Sequence, residues 1–159
     1  MIGITIIAVG KIKEKYFTDA IKEYTKRLSR FAKVNIIEIP DEKIPDNASA
    51  KECEAVLEKE GAGILAKIPD NAYVAAMCIE GKPISSEDLA KKIADISMTR
   101  SHIAFIIGGS LGLSGAVKSR ADARISFGKI TLPHQLMRVV LSEQIYRAFK
   151  INNNESYHK

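Results

Sequence analysis

The chain has 159 residues, of which 46% are hydrophobic and 27% charged, and a formal net charge of +5 at pH 7. That length predicts one domain over residues 1–159, and the composition excludes a disordered or low-complexity chain. The longest apolar runs, at 4–9 and 103–107, fall far short of the ~20 residues a membrane-spanning helix needs.

No signal-peptide pattern opens the chain, so a cytoplasmic protein with no membrane partner is expected. Cys53 and Cys78 belong to no CxxC pair, and His102, His134 and His158 are scattered; the expectation is two ordinary thiols and no metal site. The charge is segregated. Residues 1–33 carry eight Lys/Arg against three Asp/Glu, residues 38–60 three Lys against eight acids, and residues 118–159 again eight against three. Basic ends around an acidic middle favour a polyanion-binding face, with a merely solvated surface as the alternative.

In chain order, residues 4–9 form a β-branched run that reads as a strand covered on both faces. From 14 to 31 the pattern turns helical: Phe17, Ile21, Tyr24, Leu28 and Phe31 share one side, while Lys15, Lys22, Lys26, Arg30 and Lys33 share the other. A second strand at 34–39 ends at Pro40, and Ser49 with Glu52 supplies the capping box of a helix running to about residue 66. A third strand at 73–79 is closed by Gly81-Lys82-Pro83, Ser85 or Ser86 caps a helix through Met98, and 102–107 is the fourth strand. A short helix near 115–122, a fifth strand near 124–130 and a long helix from Pro133 to Ile151 complete the chain, with proline suited to the first helical position. Five strand–helix repeats predict an α/β protein with a mostly parallel sheet covered by helices on both faces.

The last helix carries apolar residues around almost its whole circumference, among them Leu136, Val139, Val140, Ile145 and Phe149. Burial on more than one side, and a homodimer built on this helix, are expected. The turn GGSLG at 108–112 follows the fourth strand. It is neither a dinucleotide fingerprint in the first strand-to-helix turn nor a P-loop. Glycine there admits positive φ and close backbone approach, with a tight turn that binds nothing as the alternative. Ligands of open α/β sheets bind beyond the carboxyl ends of strands, so the turns at 80–81, 108–112 and 128–132 are expected to converge. Met77, Gly108, Gly109, Phe127, Ile130 and Leu132 would line that pocket with no acid or lysine, which suits a purine and a thioether better than a polyphosphate.

The string FIIGGSLGLS, followed by ISFGKITLPHQLMRVVLSEQIYRAFKI and a terminal YHK, together with the opening ITIIAVGKIKEKY and the segment IIEIPDEK, resembles the RlmH family. These are SPOUT-class methyltransferases of bacterial large-subunit ribosomal RNA that act on N3 of a pseudouridine. The resemblance covers essentially the whole chain. It implies an α/β knot, a C-terminal trefoil that general topology rules would not supply, a homodimer, and S-adenosylmethionine as cofactor. On the family pattern the cofactor contacts fall on Met77, Gly108, Phe127, Gly128, Lys129, Ile130, Thr131 and Leu132. Tyr157 and His158, which the bare sequence would leave as a frayed tail, become a base-positioning and a proton-handling residue that reach the substrate across the dimer.

For His134 a cap or packing role is expected; Arg147 is assigned to the dimer interface, and Arg138 to either the interface or RNA. The stripe Lys22, Lys26, Arg30 and Lys33 is the expected contact with the ribosomal RNA backbone. Two other functions fit the same pattern: a non-catalytic ribosome-binding or assembly factor, and a SPOUT methyltransferase acting on transfer RNA.

Overall fold

The computed structural model describes residues 1–159. In chain order the elements are β1 (Ile2–Val9), α1 (Lys15–Leu28), β2 (Ala32–Ile39), α2 (Ala50–Lys67), β3 (Tyr73–Pro83), α3 (Ser86–Ser97), β4 (His102–Ile107), α4 (Gly115–Arg120), β5 (Ala123–Ser126) and α5 (His134–Asn152). All five strands pair in parallel in the order β2-β1-β4-β3-β5.

The interior strands β1 and β4 are the most apolar, as parallel strands covered on both faces are, with Thr5 as the one buried polar side chain of β1. Alternation then sends each residue to one of two cores. Ile4, Ile6, Ile103 and Phe105 join Leu28, Leu89, Ile93, Leu141 and Ile145 under α1, α3 and α5. Ile7, Val9, Ala104 and Ile106 pack with Ile64, Leu113 and Val117 under α2 and α4. Each fully buried Ile or Leu contributes about 1.5–3 kcal/mol, so the larger core, with its three helices, dominates.

The capping box at Ser49 forms as the sequence implies, and a second, at Ser85, opens α3. Ser49 Oγ accepts from the Glu52 N–H at 3.2 Å, and Ser85 Oγ from the Asp88 N–H at 3.0 Å, each returned by the carboxylate. Ser85, not Ser86, is the cap of α3.

Three expectations are corrected. The fifth strand stops at Ser126 rather than continuing to residue 130, because Gly128 adopts φ +125°, outside any strand conformation. Pro133 sits at the N-cap with ψ 137°, one residue before the first helical position. The third strand does not end at Ile79: its register jumps from Met77↔Ile125 to Lys82↔Ile125, so residues 78–81 loop out and Lys82-Pro83 rejoin β5. Gly81 is required there, since a Cβ would stand 2.8 Å from the Arg124 carbonyl carbon and the Ile125 nitrogen.

The long last helix is buried on more than one side, as expected. No side chain from His134 to Ile151 is exposed, and the helix lies across α1 and α3, with Phe31 and Phe149 stacked at 5.6 Å. From β5 at the sheet edge the chain reaches this helix through residues 127–133, which run beside the loops that follow β3 and β4, a route consistent with an α/β knot. No helix is long and apolar enough to cross a membrane.

Candidate active site

The loop within β3 and the turns at the carboxyl ends of β4 and β5 converge on one cleft of about 900 Å³. The first wall is the loop 77–80, the second the glycine turn 107–113, and the third the segment 125–134, with Met137 closing the base.

The glycine turn is fixed by contacts that forbid a side chain. Gly112 has φ +85°, its N–H donates to the Gly109 carbonyl at 3.0 Å, and a Cβ on Gly108 would collide with the Gly112 carbonyl oxygen. Behind the turn stands α2. Gly61 lets this helix approach Ser114, whose Oγ accepts from the Val117 N–H at 3.2 Å and caps α4. Glu60, 6% exposed, reaches the Glu42 N–H at 3.0 Å and lies against Gly109; burial, and after it the Asp41 and Glu42 carboxylates, push its carboxyl above the usual range.

Beneath the cleft, Arg138 is 1% exposed. Its Nη1 donates to Glu38 at 2.7 Å and its Nη2 to the Gly10 carbonyl at 3.0 Å, while Nε has no partner. Arg138 therefore ties α5 to the ends of β1 and β2 within its own chain, which removes it from both the interface and RNA roles. Gly10 has φ +95°, and the His134 ring closes over it, with Nε2 standing 3.1 Å from the point a Cβ would occupy. His134 is thus a packing residue of the cleft wall, as its place at the helix start implies.

Of the residues assigned to cofactor contact, Met77, Gly108, Phe127, Gly128, Ile130, Thr131 and Leu132 line this cleft and Lys129 does not. The expectation of a pocket without acid or lysine is corrected. Glu80 and Lys118 both line it, joined by an ion pair of 2.5 Å, and that pairing, led by the Lys118 hydrogen bond, holds the Glu80 carboxyl below its ordinary value. Sequence reasoning missed this pair because the 78–81 loop, which turns Glu80 toward α4, leaves no periodic signal. Ile130 is 81% exposed and Ile79 50%, so the mouth of the cleft is apolar and open.

Tyr157 and His158 do not line the cleft of their own chain. The tail folds back on α5 and the start of α3 instead of fraying. The Tyr157 hydroxyl donates to Glu143 at 3.2 Å, its ring meets Tyr146 edge-on at 5.0 Å, and the Arg147 guanidinium lies 4.8 Å from its centroid. Burial, and after it the Glu143 carboxylate, push the phenol above its usual value, so Tyr157 acts as a hydrogen-bond donor at neutral pH. Arg147 also donates to Glu143 at 2.7 Å and to His158 Nδ1 at 3.1 Å; its partners lie in its own chain.

In the basic stripe, Lys22, Lys26 and Lys33 are exposed without a carboxylate partner, whereas Arg30 is paired to Glu155 at 3.2 Å. Arg30 is therefore partly neutralised. No cluster of three or more potential metal ligands is present.

Fold and cleft define a class: a parallel α/β sheet whose glycine turn and final loop enclose a ligand-sized cleft at the strand ends. The family described as Predicted SPOUT methyltransferase matches residues 2–158, and the chain belongs to it; it is a methyltransferase, and its chemistry requires a methyl donor. The chain is similar to the ribosomal RNA large subunit methyltransferase H of Lactobacillus acidophilus, 61% identical over 158 residues and covering 99% of both chains. The proteins of the same name from Clostridioides difficile and Listeria monocytogenes are 56% and 57% identical, again over 99% of each chain. The structure of a probable methylase family protein from Haemophilus influenzae superimposes with a TM-score of 0.57 at 12% identity, covering 98% of this chain and 70% of that one, a likeness of fold alone.

Proposed function

We propose that this protein transfers a methyl group from S-adenosylmethionine to N3 of a pseudouridine in large-subunit ribosomal RNA, acting as a homodimer on the ribosome. The observation that carries the reading is the glycine turn at 108–112, where Gly108 has no room for a Cβ and the backbone lines a cleft of a size suited to a nucleoside. The naming of relatives 56–61% identical over nearly the whole chain supports the acceptor.

The lining fits the cofactor. Met77, Phe127, Ile130 and Leu132 offer apolar surface for an adenine ring and a thioether, and the glycine turn and the final loop bring main chain to the same cleft. Bound there, the sulfonium supplies the methyl group and leaves as a neutral thioether. What remains for the chain is alignment, which is worth several kcal/mol of the barrier when acceptor, carbon and leaving atom are held in line.

The N3 proton must also leave. His158 is assigned to that step, with Tyr157 positioning the base, at the cleft of a second copy, because in their own chain they lie outside it. Leu136, Val139 and Val140, half-buried on α5, support α5 as the contact that brings two copies together. Lys22, Lys26 and Lys33 hold the RNA backbone, with Arg30 contributing once Glu155 releases it.

Calorimetric titration with S-adenosylmethionine, followed by methylation of bacterial large ribosomal subunits with mass mapping of the product, tests the reading. Saturable binding and one methylated pseudouridine are expected. A folded protein that binds large subunits but takes no S-adenosylmethionine would overturn it in favour of an assembly factor.

A further inference from the structure

A second cleft, of about 630 Å³, lies on the other side of the β3–β5 strand pair, between α3 and the edge strand β5. Its rim carries five cationic side chains, Lys82, Lys91, Lys92, Arg100 and Arg124, against two acids, Asp88 and Asp95, a surplus of three. Lys91 is neutralised by Asp95 at 3.0 Å. The other four have no carboxylate partner: Arg100 donates to the Asn71 carbonyl at 3.1 Å, Arg124 to the Lys118 carbonyl at 3.3 Å, and Lys92 lies 5.8 Å from the centroid of the Tyr73 ring.

Elsewhere on the surface the cations are more often compensated. On α1, Lys15 pairs with Asp19 and Arg27 with Glu23, while Lys22 and Lys26 are unpaired; just beyond it Arg30 pairs with Glu155. With Lys91 paired, four cations and one acid, Asp88, leave a surplus of three around one concavity, which raises the local potential and attracts a polyanion.

The two clefts share a wall. Ile125 lines both, and Lys82, where β3 resumes after the 78–81 loop, pairs with it in the sheet. The two clefts therefore meet at the β3–β5 strand pair.

We propose that the β5-edge cleft holds the backbone of the RNA strand that flanks the methylated nucleotide, with Lys82, Lys92 and Arg124 contacting phosphates; the inference rests on the methyl-transfer reading above. Such contacts fix the register of the strand without reading its sequence. An acidic peptide is the other polyanion the patch would admit. The continuity with a nucleotide-sized cleft favours RNA.

The test is a salt titration of binding to purified bacterial large ribosomal subunits by the protein and a Lys82→Ala, Lys92→Ala, Arg124→Ala variant. Loss of three phosphate contacts lowers the slope of log affinity against log salt by about 2, and the Lys82→Arg, Lys92→Arg, Arg124→Lys variant restores it. A Lys43→Ala, Lys51→Ala, Lys67→Ala variant, which removes the same charge from exposed sites on and before α2, keeps the parent slope. An unchanged slope in the first variant, an equal fall in the α2 control, or weakened binding of poly-glutamate with large-subunit binding intact would overturn the inference. Calorimetric binding of S-adenosylmethionine is read separately on each protein. Its absence from the parent overturns the methyl-transfer reading, whereas its retention in the first variant shows that any lost affinity belongs to RNA.

Discussion

Arg147 Nη1 lies 3.1 Å from His158 Nδ1, and His158 Nε2 faces Glu87 Oε1 at 2.5 Å. A guanidinium can only donate, so Nδ1 accepts and the ring proton sits on Nε2, directed at the carboxylate. Glu87, held below its usual value first of all by that hydrogen bond, and Arg147 thus clamp the imidazole from both sides.

His158 must leave this clamp to act on a substrate proton. His158→Ala is expected to lower methyl transfer at saturating ribosome by 10²–10⁴-fold, the range of a general acid or base, while S-adenosylmethionine binding stays as in the parent. Glu87→Gln weakens one side of the clamp and is expected to change the rate less than His158→Ala. Single-turnover methylation with calorimetry in parallel separates the two readouts. A His158→Ala rate equal to that of the parent would remove the proton role.

Two cleft glycines fail for different physical reasons. At Gly108 an added Cβ meets the Gly112 backbone, which cannot swing aside; Gly108→Ala is expected to cost 1–3 kcal/mol as overpacking, at about the upper end, and to abolish cofactor binding. At Gly128 nothing lies within 4 Å, but φ is +125°, so Gly128→Ala meets only backbone strain of about 1–3 kcal/mol. Denaturant melts should show both losses. Calorimetry should show donor binding lost at Gly108 and weakened at Gly128, and equal affinity in both variants would contradict the cradle.

Much of this arrangement was legible in the sequence because local rules specify it. The capping box at Ser49 and the apolar runs of β1 and β4 follow from spacing and residue type alone, whereas the choice of Ser85 over Ser86 does not. The glycine turn announced its place but not its contacts, since the Gly108–Gly112 collision depends on a fold of the backbone that no periodicity encodes. The 78–81 loop, which brings Glu80 to Lys118, was hidden for the same reason, since it is set by how β3 and β5 pair, a long-range choice; β5 ends early because Gly128 takes a conformation that its presence in the sequence permits but does not dictate. The docking of the Tyr157-His158 tail on Glu143, Arg147 and Glu87 was likewise unreadable, because polar terminal residues carry no pattern that distinguishes a docked tail from a frayed one.

The Arg138–Glu38 pair is asymmetric, its side chains 1% and 41% exposed. Removing Arg138 leaves a carboxylate that water can reach. Removing Glu38 leaves a guanidinium buried with only the Gly10 carbonyl. Glu38→Ala is therefore expected to cost about 3–5 kcal/mol, as for an uncompensated buried charge, and Arg138→Met distinctly less. Urea melts of the two variants decide it, and the reverse order would show that Arg138 stabilises through packing rather than through charge pairing.

His102 and Glu60 should bend the pH profile of stability in opposite directions. The His102 ring, within 2.6 Å of Thr5 Oγ1 in the β1–β4 pair, is held by burial below its ordinary value, about 6.5 for a free side chain. Between the folded and unfolded values the unfolded chain binds the extra proton, so this stabilising contribution is complete above pH ~6.5 and is lost as pH falls through the folded value. Glu60 is raised, chiefly by burial. Here the folded chain binds the extra proton, so the stabilisation is present at low pH and is lost as pH rises through the folded value. Removing each group isolates its share. Relative to the parent, His102→Gln should lose less stability on going from pH 7.5 to pH 5, and Glu60→Gln, which keeps an acceptor for the Glu42 N–H, should lose more. Thermal melts across that range check both. Parallel shifts of the two variants would mean that burial at these sites does not control their protonation.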